Sequence, residues 1–353
     1  MENSFSESKI FKNEEFLSPE FLPEFLPHRE QQIKDLANNL MPASEGRNPQ
    51  NTFIFGAPGI GKTAVVKFVF REFENYSGIK TTYINCWDYK TANSVLVKII
   101  LDLGFFVQRR GWAKDEIISR LIEVLNKINK SVIICLDEVD QLILNNGEEV
   151  LYDLLRINQY TKNKVGIVFV SNDPHVFVNV EPRIKSSLNI EEIEFKPYSL
   201  EEMKNILQER ANLTFHSIEE GAVLLSANCA IKKGGDVRVG LECLLKAGRV
   251  AEQENSEKVK VEHVKKILPK IEKVKPNIIK EKIDNIEKII LEILKEKEKF
   301  TSGELYETYC KKIEKSVTER SFRNHVNRLI QLKLIKVKKS KGMRGQTRII
   351  SRV

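Results

Sequence analysis

Residues 56–63, with the sequence GAPGIGKT, constrain the fold of this chain more than any other segment. They match the pattern G-x-x-x-x-G-K-[ST] and stand between the apolar run Thr52–Phe55 and the helical pattern Lys62–Asn75. Glycines let the loop between such a strand and helix turn tightly, so that its N–H groups and the helix N-terminus face a bound phosphate. The segment therefore predicts a P-loop on a strand–loop–helix unit.

The sequence around and after the P-loop alternates between short apolar runs and helical patterns. The predicted strands are Thr52–Phe55, Lys80–Cys86, Val132–Leu136 and Val165–Val170, and the predicted helices are Lys62–Asn75, Ser94–Leu103, Asp115–Ile128 and Glu148–Tyr160. This alternation is typical of a parallel sheet with helices on both faces. Residues 199–268 are almost wholly helical in pattern, whereas the prolines of SPEFLPEFLP near the N-terminus predict an extended arm.

An acidic pair ends one of the predicted strands. The run SVIICLDEVD places Asp137 and Glu138 at 75 and 76 residues after Lys62. Such an aspartate, with the Thr63 hydroxyl, can hold Mg²⁺, and the adjacent glutamate can orient or activate the attacking water. Asn172 ends a neighbouring strand at the edge where ligands bind in open α/β sheets, so it can contact the γ-phosphate or the water. Together with the P-loop, these residues predict binding of ATP or ADP with Mg²⁺ and ATPase activity.

The positive charge of the chain is concentrated at its C-terminal end. Residues 276–353 carry 20 Lys and Arg against 10 Asp and Glu, whereas the remaining 275 residues carry 37 against 39. No acidic residue follows Glu319, while residues 320–352 contain 11 basic ones. A solvated charged surface normally mixes both signs, so this block favours a polyanionic partner such as nucleic acid.

The basic segment has the pattern of a winged helix-turn-helix. Three helical patterns are followed by two strands, LIKVKKS and QTRIISRV, which are joined by KGMRG. We expect Ser302 to cap the second helix and Thr318 to cap the third. The third helix suits the major groove of double-stranded DNA, and the hairpin suits phosphates or the minor groove. The predicted contacts are Arg320, Arg323, Asn324 and Asn327 on the helix and Lys341, Arg344 and Arg348 on the hairpin. Winged helices also serve as protein-interaction modules, which is the alternative.

Taken in order, several of these stretches resemble the AAA+ superfamily and, within it, the archaeal origin-recognition initiators. The matching stretches are LPHREQQI, GAPGIGKT, IICLDEVDQL, IVFVSNDP, PRIKSSL, IEFKPYSLEEMKNILQERA and GGDVRVGLECLLKAGRVAE, followed by the basic C-terminal segment. The resemblance covers nearly the whole chain. It implies an AAA+ base domain at residues 1–196, a helical lid at 197–275 and a winged helix at 276–353.

The resemblance also implies roles for individual residues. Asn172 is expected to be the sensor-1 residue, Arg238 the sensor-2 arginine of the lid, and Arg183 an arginine finger for a neighbouring subunit. A surface salt bridge is the alternative for both arginines. Further nucleotide contacts are expected from Arg29, Tyr198 and the P-loop residues Gly56, Ala57, Pro58, Gly59, Ile60, Gly61, Lys62, Thr63 and Ala64. Arg109 and Arg110 in FFVQRRGW are expected to touch the DNA minor groove, unless this loop only packs on the core.

The function implied is recognition of origin double-stranded DNA, with slow ATP hydrolysis as a switch for recruiting the replicative helicase and with related initiators as further partners. An ATPase-type transcriptional regulator is the alternative. The N-terminus lacks the apolar core of a signal peptide and the chain has no run of about 18 apolar residues, so we expect a cytoplasmic, nucleoid-associated protein without a membrane partner. Five scattered cysteines are expected to be small buried side chains.

Overall fold

The computed structural model describes residues 8–107, 111–145, 147–178, 180–269, 284–296, 299–312, 317–331, 334–342 and 345–352. The chain divides into two compact units, Met1–Leu268 and Pro269–Val353. Within the described residues, no helix is both long and apolar enough to cross a bilayer. Four of the cysteines are buried, and Cys310 is partly buried, as expected for small apolar side chains.

A five-stranded parallel sheet forms the centre of the first unit. Its strands are β1 (Asn51–Gly56), β2 (Lys80–Asn85), β3 (Val132–Asp137), β4 (Val165–Ser171) and β5 (Ile190–Phe195), in the order β2-β3-β4-β1-β5. Every residue of β3 and β4 is buried. Because successive side chains of a strand point to opposite faces, this burial means that both faces of the sheet centre are covered. Because β3, β4 and β1 are neighbours and run parallel, their carboxyl ends lie side by side at one edge of the sheet.

Helices surround this sheet and connect its strands. They are α1 (Glu30–Leu40), α2 (Lys62–Ser77), α3 (Ala92–Asp102), α4 (Lys114–Lys127), α5 (Val139–Leu144), α6 (Glu149–Leu155) and α7 (Pro182–Ser187), with 3₁₀ turns at Glu14–Leu17, Met41–Glu45 and Ile157–Gln159. The helix predicted at 148–160 is therefore shorter than expected. The Asn158 side chain bonds both the N–H and the carbonyl of Val165 at 2.8 Å, which ties this segment to the start of β4 and ends the helix.

Strand β5 was not predicted from the sequence. Its residues read IEEIEF, and only Ile193 and Phe195 are buried, while the three glutamates are exposed. The strand lies at the edge of the sheet beside β1. An edge strand with one packed face lacks the continuous apolar run that marked the other strands.

Four helices complete the first unit, as the helical pattern after residue 199 predicted. They are α8 (Leu200–Thr214), α9 (Glu220–Lys232), α10 (Val237–Gln253) and α11 (261–269), of which α8, α9 and α10 pack on one another. The N-terminal arm lies along these helices. Phe11 forms an isolated bridge with Phe215, and Arg249 pairs with Glu14 at 2.7 Å.

The second unit has the architecture predicted for a winged helix. It contains α12 (Asn285–Glu296), β6 (Lys299–Thr301), α13 (Ser302–Lys312), α14 (Glu319–Gln331), β7 (Ile335–Gly342) and β8 (Gly345–Arg352), and its antiparallel sheet has the order β6-β8-β7. The apolar residues of α14 face the core: Phe322, Val326 and Leu329 are all buried. This burial turns the opposite face of α14 toward solvent.

The caps of two helices in this unit were predicted, and one prediction was wrong. The Thr318 hydroxyl accepts from Ser321 N at 3.3 Å, which confirms the cap of α14. At α13, however, Thr301 is the capping residue and Ser302 is already helical. Thr301 Oγ1 accepts from Glu304 N at 3.3 Å, and Glu304 Oε2 accepts from Thr301 N at 2.9 Å. The reciprocal Thr–Glu capping box at this spacing explains the shift by one residue.

Candidate nucleotide site and DNA-binding surface

The P-loop connects β1 to α2 through left-handed backbone. Gly59 has φ 74° and Gly61 has φ 93°, a region that side-chain-bearing residues rarely adopt. A Cβ on Gly59 would also lie 1.9 Å from Asp236 Oδ1, so only glycine allows this close approach. The loop thus wraps tightly at the N-terminus of α2, as phosphate binding requires.

Lys62 is the first residue of α2 and is almost fully buried. Its Nζ donates to the carbonyls of Gly56 at 2.9 Å and Ala57 at 2.8 Å, and to Asn172 Oδ1 at 2.8 Å. Burial lowers the pKa of Lys62 to about 8, although the nearby carboxylates of Asp137 and Glu138 oppose this shift. A desolvated ammonium with its three donors directed across the loop is suited to binding an anion that enters between them.

Thr63 and Asp137 meet at the same edge. Thr63 Oγ1 donates to Asp137 Oδ2 at 2.6 Å, while Asp137 Oδ1 accepts from Glu138 N at 2.8 Å. A hydroxyl and a carboxylate are oxygen ligands of the kind that Mg²⁺ prefers. The donor set at the ends of β3 and α2 therefore fits the predicted metal.

Tyr83 is a member of this cluster that the sequence did not indicate. Its hydroxyl donates to Asp137 Oδ2 at 2.6 Å, the same oxygen that Thr63 contacts. Burial raises the pKa of Tyr83, so the phenol stays protonated and acts as a donor. The hydrogen bond orients the carboxylate, the usual role of groups behind a metal ligand. Its only sequence signal is its position in β2, where Tyr83 pairs with Cys135, two residues before Asp137.

Glu138 has a left-handed backbone with φ 56° and follows β3 directly. Its Oε2 accepts from Asn172 Nδ2 at 3.2 Å and from Trp87 Nε1 at 3.2 Å. Asn172 thus joins two groups, because its Oδ1 accepts from Lys62 and its amide donates to Glu138. Burial raises the pKa of Glu138, and the charge of Asp137 adds to that rise. Trp87 was not predicted as a site residue.

The start of α10, which belongs to the helical region after residue 199, contacts the P-loop. Val237 N donates to Gly59 O at 3.0 Å. Arg238, the next residue, has its Nε 3.0 Å from Asp236 Oδ1 and lines the same cavity as the P-loop. The structure thus contains the salt bridge given as the alternative for Arg238, at a place where the side chain also borders the nucleotide site.

These elements enclose a cavity of about 510 Å³. Its lining includes the charged and polar side chains of Lys62, Thr63, Asp137, Glu138, Asn172 and Arg238, and also Tyr198 and the apolar residues Pro23, Phe25, Leu26, Pro27, Ile206 and Leu241. The volume is in the usual range for a small-molecule site of roughly 300–1,000 Å³. A charged part beside an apolar part suits a ligand that joins phosphates to a planar base.

Arg210 fixes the arm that forms the apolar part. Its Nη2 donates to the carbonyls of Ser18 at 3.1 Å and Phe21 at 3.2 Å, and its guanidinium lies 4.6 Å from the centre of the Phe21 ring. Burial lowers the pKa of Arg210 to about 10. Among the described residues, its Nη1 has no hydrogen-bond partner. This contact between α8 and the arm was not predicted.

Arg29 and Arg183, which were predicted as site residues, are not among the residues that line the cavity. Arg29 donates to Ile60 O through Nε at 3.2 Å and Nη2 at 2.9 Å and stacks on Tyr198, so it supports the P-loop from behind and is not among the cavity residues. Arg183 on α7 pairs with Glu181 and lies 5.3 Å from the centre of the Tyr152 ring, with its side chain 56% exposed. The nucleotide contact of Arg29 and the finger role of Arg183 stay predictions.

The predicted DNA contacts of α14 all lie on its exposed face. Arg320, Arg323, Asn324 and Asn327 line one groove of the second unit together with Val337 of β7 and Ile350 of β8. Arg323 pairs with Glu319 one turn earlier. Lys341 and Arg348 stand at ladder positions of β7 and β8, but their side chains lie outside the described part, as do Arg344, Arg109 and Arg110 altogether.

Two further residues of α14, His325 and Arg328, belong to an ion-pair network. His325 Nδ1 lies 3.1 Å from Asp284 Oδ2, and Arg328 Nη1 lies 3.2 Å from the buried Glu287 Oε1. Asp284 and Glu287 also cap α12 reciprocally. His325 and these two carboxylates are about 40 positions apart in the sequence, so the network exists only in the folded unit.

Comparison with known proteins places the chain. Family models match it in three regions: an AAA domain at residues 45–174, a Cdc6 AAA+ ATPase-type lid domain at 204–267, and a CDC6 C-terminal winged helix domain at 288–352. ORC1-type DNA replication protein 1 of Sulfurisphaera tokodaii is 35% identical, over 99% of this chain and 92% of that protein. Its counterpart in Archaeoglobus fulgidus is 37% identical, over 98% and 89%. The chain belongs to the archaeal ORC1/Cdc6 family of replication initiators.

A solved structure agrees with the assignment of this chain to the initiator family. The ORC1 protein of Aeropyrum pernix, determined in complex with DNA, superposes with a TM-score of 0.81 at 32% identity, over 98% of this chain and 94% of that one. The predicted AAA+ domain, lid and winged helix are thereby confirmed as the fold of the initiator. The boundaries predicted at 196/197 and 275/276 stay predictions.

Proposed function

We propose that this ORC1-type initiator binds ATP with Mg²⁺, recognises origin double-stranded DNA, and uses ATP binding and hydrolysis as a switch that recruits the replicative helicase. The observation that carries the proposal is the cavity bordered by both the P-loop and the start of α10. A nucleotide held there touches the sheet domain and the lid at once. Its state can therefore bias the position of the lid.

The polyphosphate of ATP occupies the charged part of the cavity. Lys62 exchanges its bonds with the carbonyls of Gly56 and Ala57 for phosphate oxygens. Thr63 and Asp137 hold Mg²⁺, which when bound neutralises charge on the phosphate oxygens. The adenine lies in the apolar part beside Tyr198 and the arm.

Hydrolysis is assigned to residues that follow the carboxyl ends of β3 and β4. Glu138 orients the attacking water, and Asn172 positions both Glu138 and the terminal phosphate. Arg238 leaves Asp236 and reaches the γ-phosphate, so that a charged contact within the lid is replaced by a contact with the nucleotide. Loss of the γ-phosphate reverses this exchange, which is how slow turnover resets the switch.

DNA recognition is assigned to the second unit. Arg323 and Asn324 on the exposed face of α14 read base edges, and the hairpin between β7 and β8 contacts phosphates. The A. pernix ORC1 protein was solved in complex with DNA, which supports DNA binding by this chain. The Arg109/Arg110 loop adds a second DNA contact from the ATPase domain.

Arg183, exposed on α7, acts toward a neighbouring initiator. The protein is associated with the nucleoid.

Two measurements on the full chain test the proposal. Glu138→Gln is expected to bind ATP like the wild type and to lose hydrolysis by about 100-fold or more, because the amide cannot activate water. Undiminished turnover would show that Glu138 does not act on the water. Genome-wide mapping of bound sites is expected to find one or a few origin loci. Occupancy of many promoters would instead indicate a transcriptional regulator.

A further inference from the structure

Trp87 donates a hydrogen bond to Glu138, although it was not predicted as a site residue. The residue stands in the loop after β2, 51 positions before Glu138, and its Nε1 lies 3.2 Å from Glu138 Oε2. Its side chain is nevertheless exposed, with 52% of its surface accessible. A tryptophan kept only for packing is usually buried, so burial does not explain this placement.

The loop holds Trp87 in a defined position relative to β3. Trp87 N donates to Asn85 Oδ1 at 2.9 Å, and Cys86 N donates to Asp137 O at 2.8 Å. The Lys90 ammonium lies 5.4 Å from the centre of the indole ring. The backbone just before the indole is therefore tied to the strand end that carries Asp137 and Glu138, and the loop itself is closed on Asn85.

The two donors on Glu138 differ in what else they contact. Asn172 is also bonded to Lys62, so its amide responds when phosphate draws that lysine away. Trp87 has one polar hydrogen in its side chain, and that hydrogen is given to Glu138. Both donors use Oε2, and no hydrogen bond within the described part of the chain uses Oε1.

We propose that Trp87 is a positioning residue for Glu138, whose indole N–H holds Oε2 so that Oε1 is presented to the attacking water. The inference rests on the proposed ATPase function. One hydrogen bond allows a carboxylate to pivot about the bonded oxygen. A second donor, from the loop after another strand, fixes the direction of the free oxygen, and this direction decides how well water is aligned for attack.

The test removes the indole N–H while keeping the ring. Trp87→Phe, and replacement of Trp87 by the isosteric β-(3-benzothienyl)alanine, are made in the full chain carrying Trp112→Phe, so that a single tryptophan is altered. Both changes are expected to lower kcat by about 3- to 10-fold, the worth of one hydrogen bond, and to leave the Kd for ATP within about twofold. Trp112→Phe alone is the control, because Trp112 is not among the residues that line the nucleotide cavity, and it should turn over like the wild type.

A double-mutant cycle separates positioning from general damage. In a Glu138→Gln background, either change at Trp87 is expected to cause no further loss of the residual rate, because its target carboxylate is already gone. Wild-type kcat in the benzothienylalanine protein would overturn the inference. So would an equal loss in the Glu138→Gln background, or a loss of ATP binding that accompanies the loss of rate. Failure of Glu138→Gln itself to reduce turnover would instead refute the proposed function.

Discussion

The nucleotide cavity and the exposed face of α14 differ in how their polar side chains meet water. In the cavity, Lys62 and Asp137 are at most 6% exposed, and their donors and acceptors are already satisfied by neighbouring residues. On α14, Arg320, Arg323 and Asn324 are exposed, and the ion pair of Arg323 with Glu319 faces solvent. A buried site is sensitive to the loss of any one member, whereas a solvated surface distributes its binding energy over many weak contacts.

The buried site should show the largest single effect. Lys62→Ala removes the ammonium that is bonded across the P-loop, and we expect ATP affinity to fall by at least about 100-fold, which corresponds to two charge-assisted hydrogen bonds. Calorimetric titration with ATP measures the change. Lys80→Ala, which alters an exposed lysine of β2, is the matched control and should bind normally. A loss of only about threefold for Lys62→Ala would mean that the phosphates lie elsewhere.

A base contact on the exposed face should have an intermediate effect. Asn324→Ala is expected to cost about 1–3 kcal/mol on the cognate duplex and little on a random duplex, because only the cognate site offers the matching base edge. Fluorescence anisotropy with the two duplexes in the same salt gives both affinities. Equal losses on both would show that another part of α14 enters the groove.

The hairpin should give the smallest effects, and they should be uniform. Arg344→Ala and Arg348→Ala are each expected to lower affinity for any duplex and to reduce the slope of log affinity against log salt by about 0.9, because each removes one phosphate contact. Affinities measured between low and moderate salt yield the slope. A loss confined to the cognate sequence would assign the hairpin to base reading and weaken the contrast between the two surfaces.

The fold was predictable where its signal is local in the chain. Strands β1 to β4, the helix after the P-loop and the apolar side of α14 follow from runs and spacings of a few residues. Strand β5 was not, since a glutamate-rich edge strand has no apolar run. The predicted helix at 148–160 ended early because Asn158 bonds Val165 across the turn into β4, a contact that no helical spacing encodes.

The residues of the candidate site also divide into those that local sequence predicts and those that only contacts between distant segments bring together. Lys62, Thr63, Asp137 and Glu138 were predicted because each belongs to a contiguous motif whose geometry is local. Tyr83 and Trp87 reach the acidic pair only because β2 lies beside β3, across 54 and 51 positions of sequence. Arg210 joins α8 to an arm 189 or more positions earlier in the same way.

By itself, then, the sequence determined the P-loop, the acidic pair, the basic C-terminal block and the family, because these depend on neighbouring residues or on composition. The tertiary structure decided which oxygen of Asp137 receives two hydroxyls, that Arg238 is paired with Asp236, and that Arg29 supports the P-loop from behind. Such partners are chosen by the packing of strands and helices that are distant in sequence. Side-chain hydrogen bonds act over about 3 Å, so only the packed fold brings these donors and acceptors within reach.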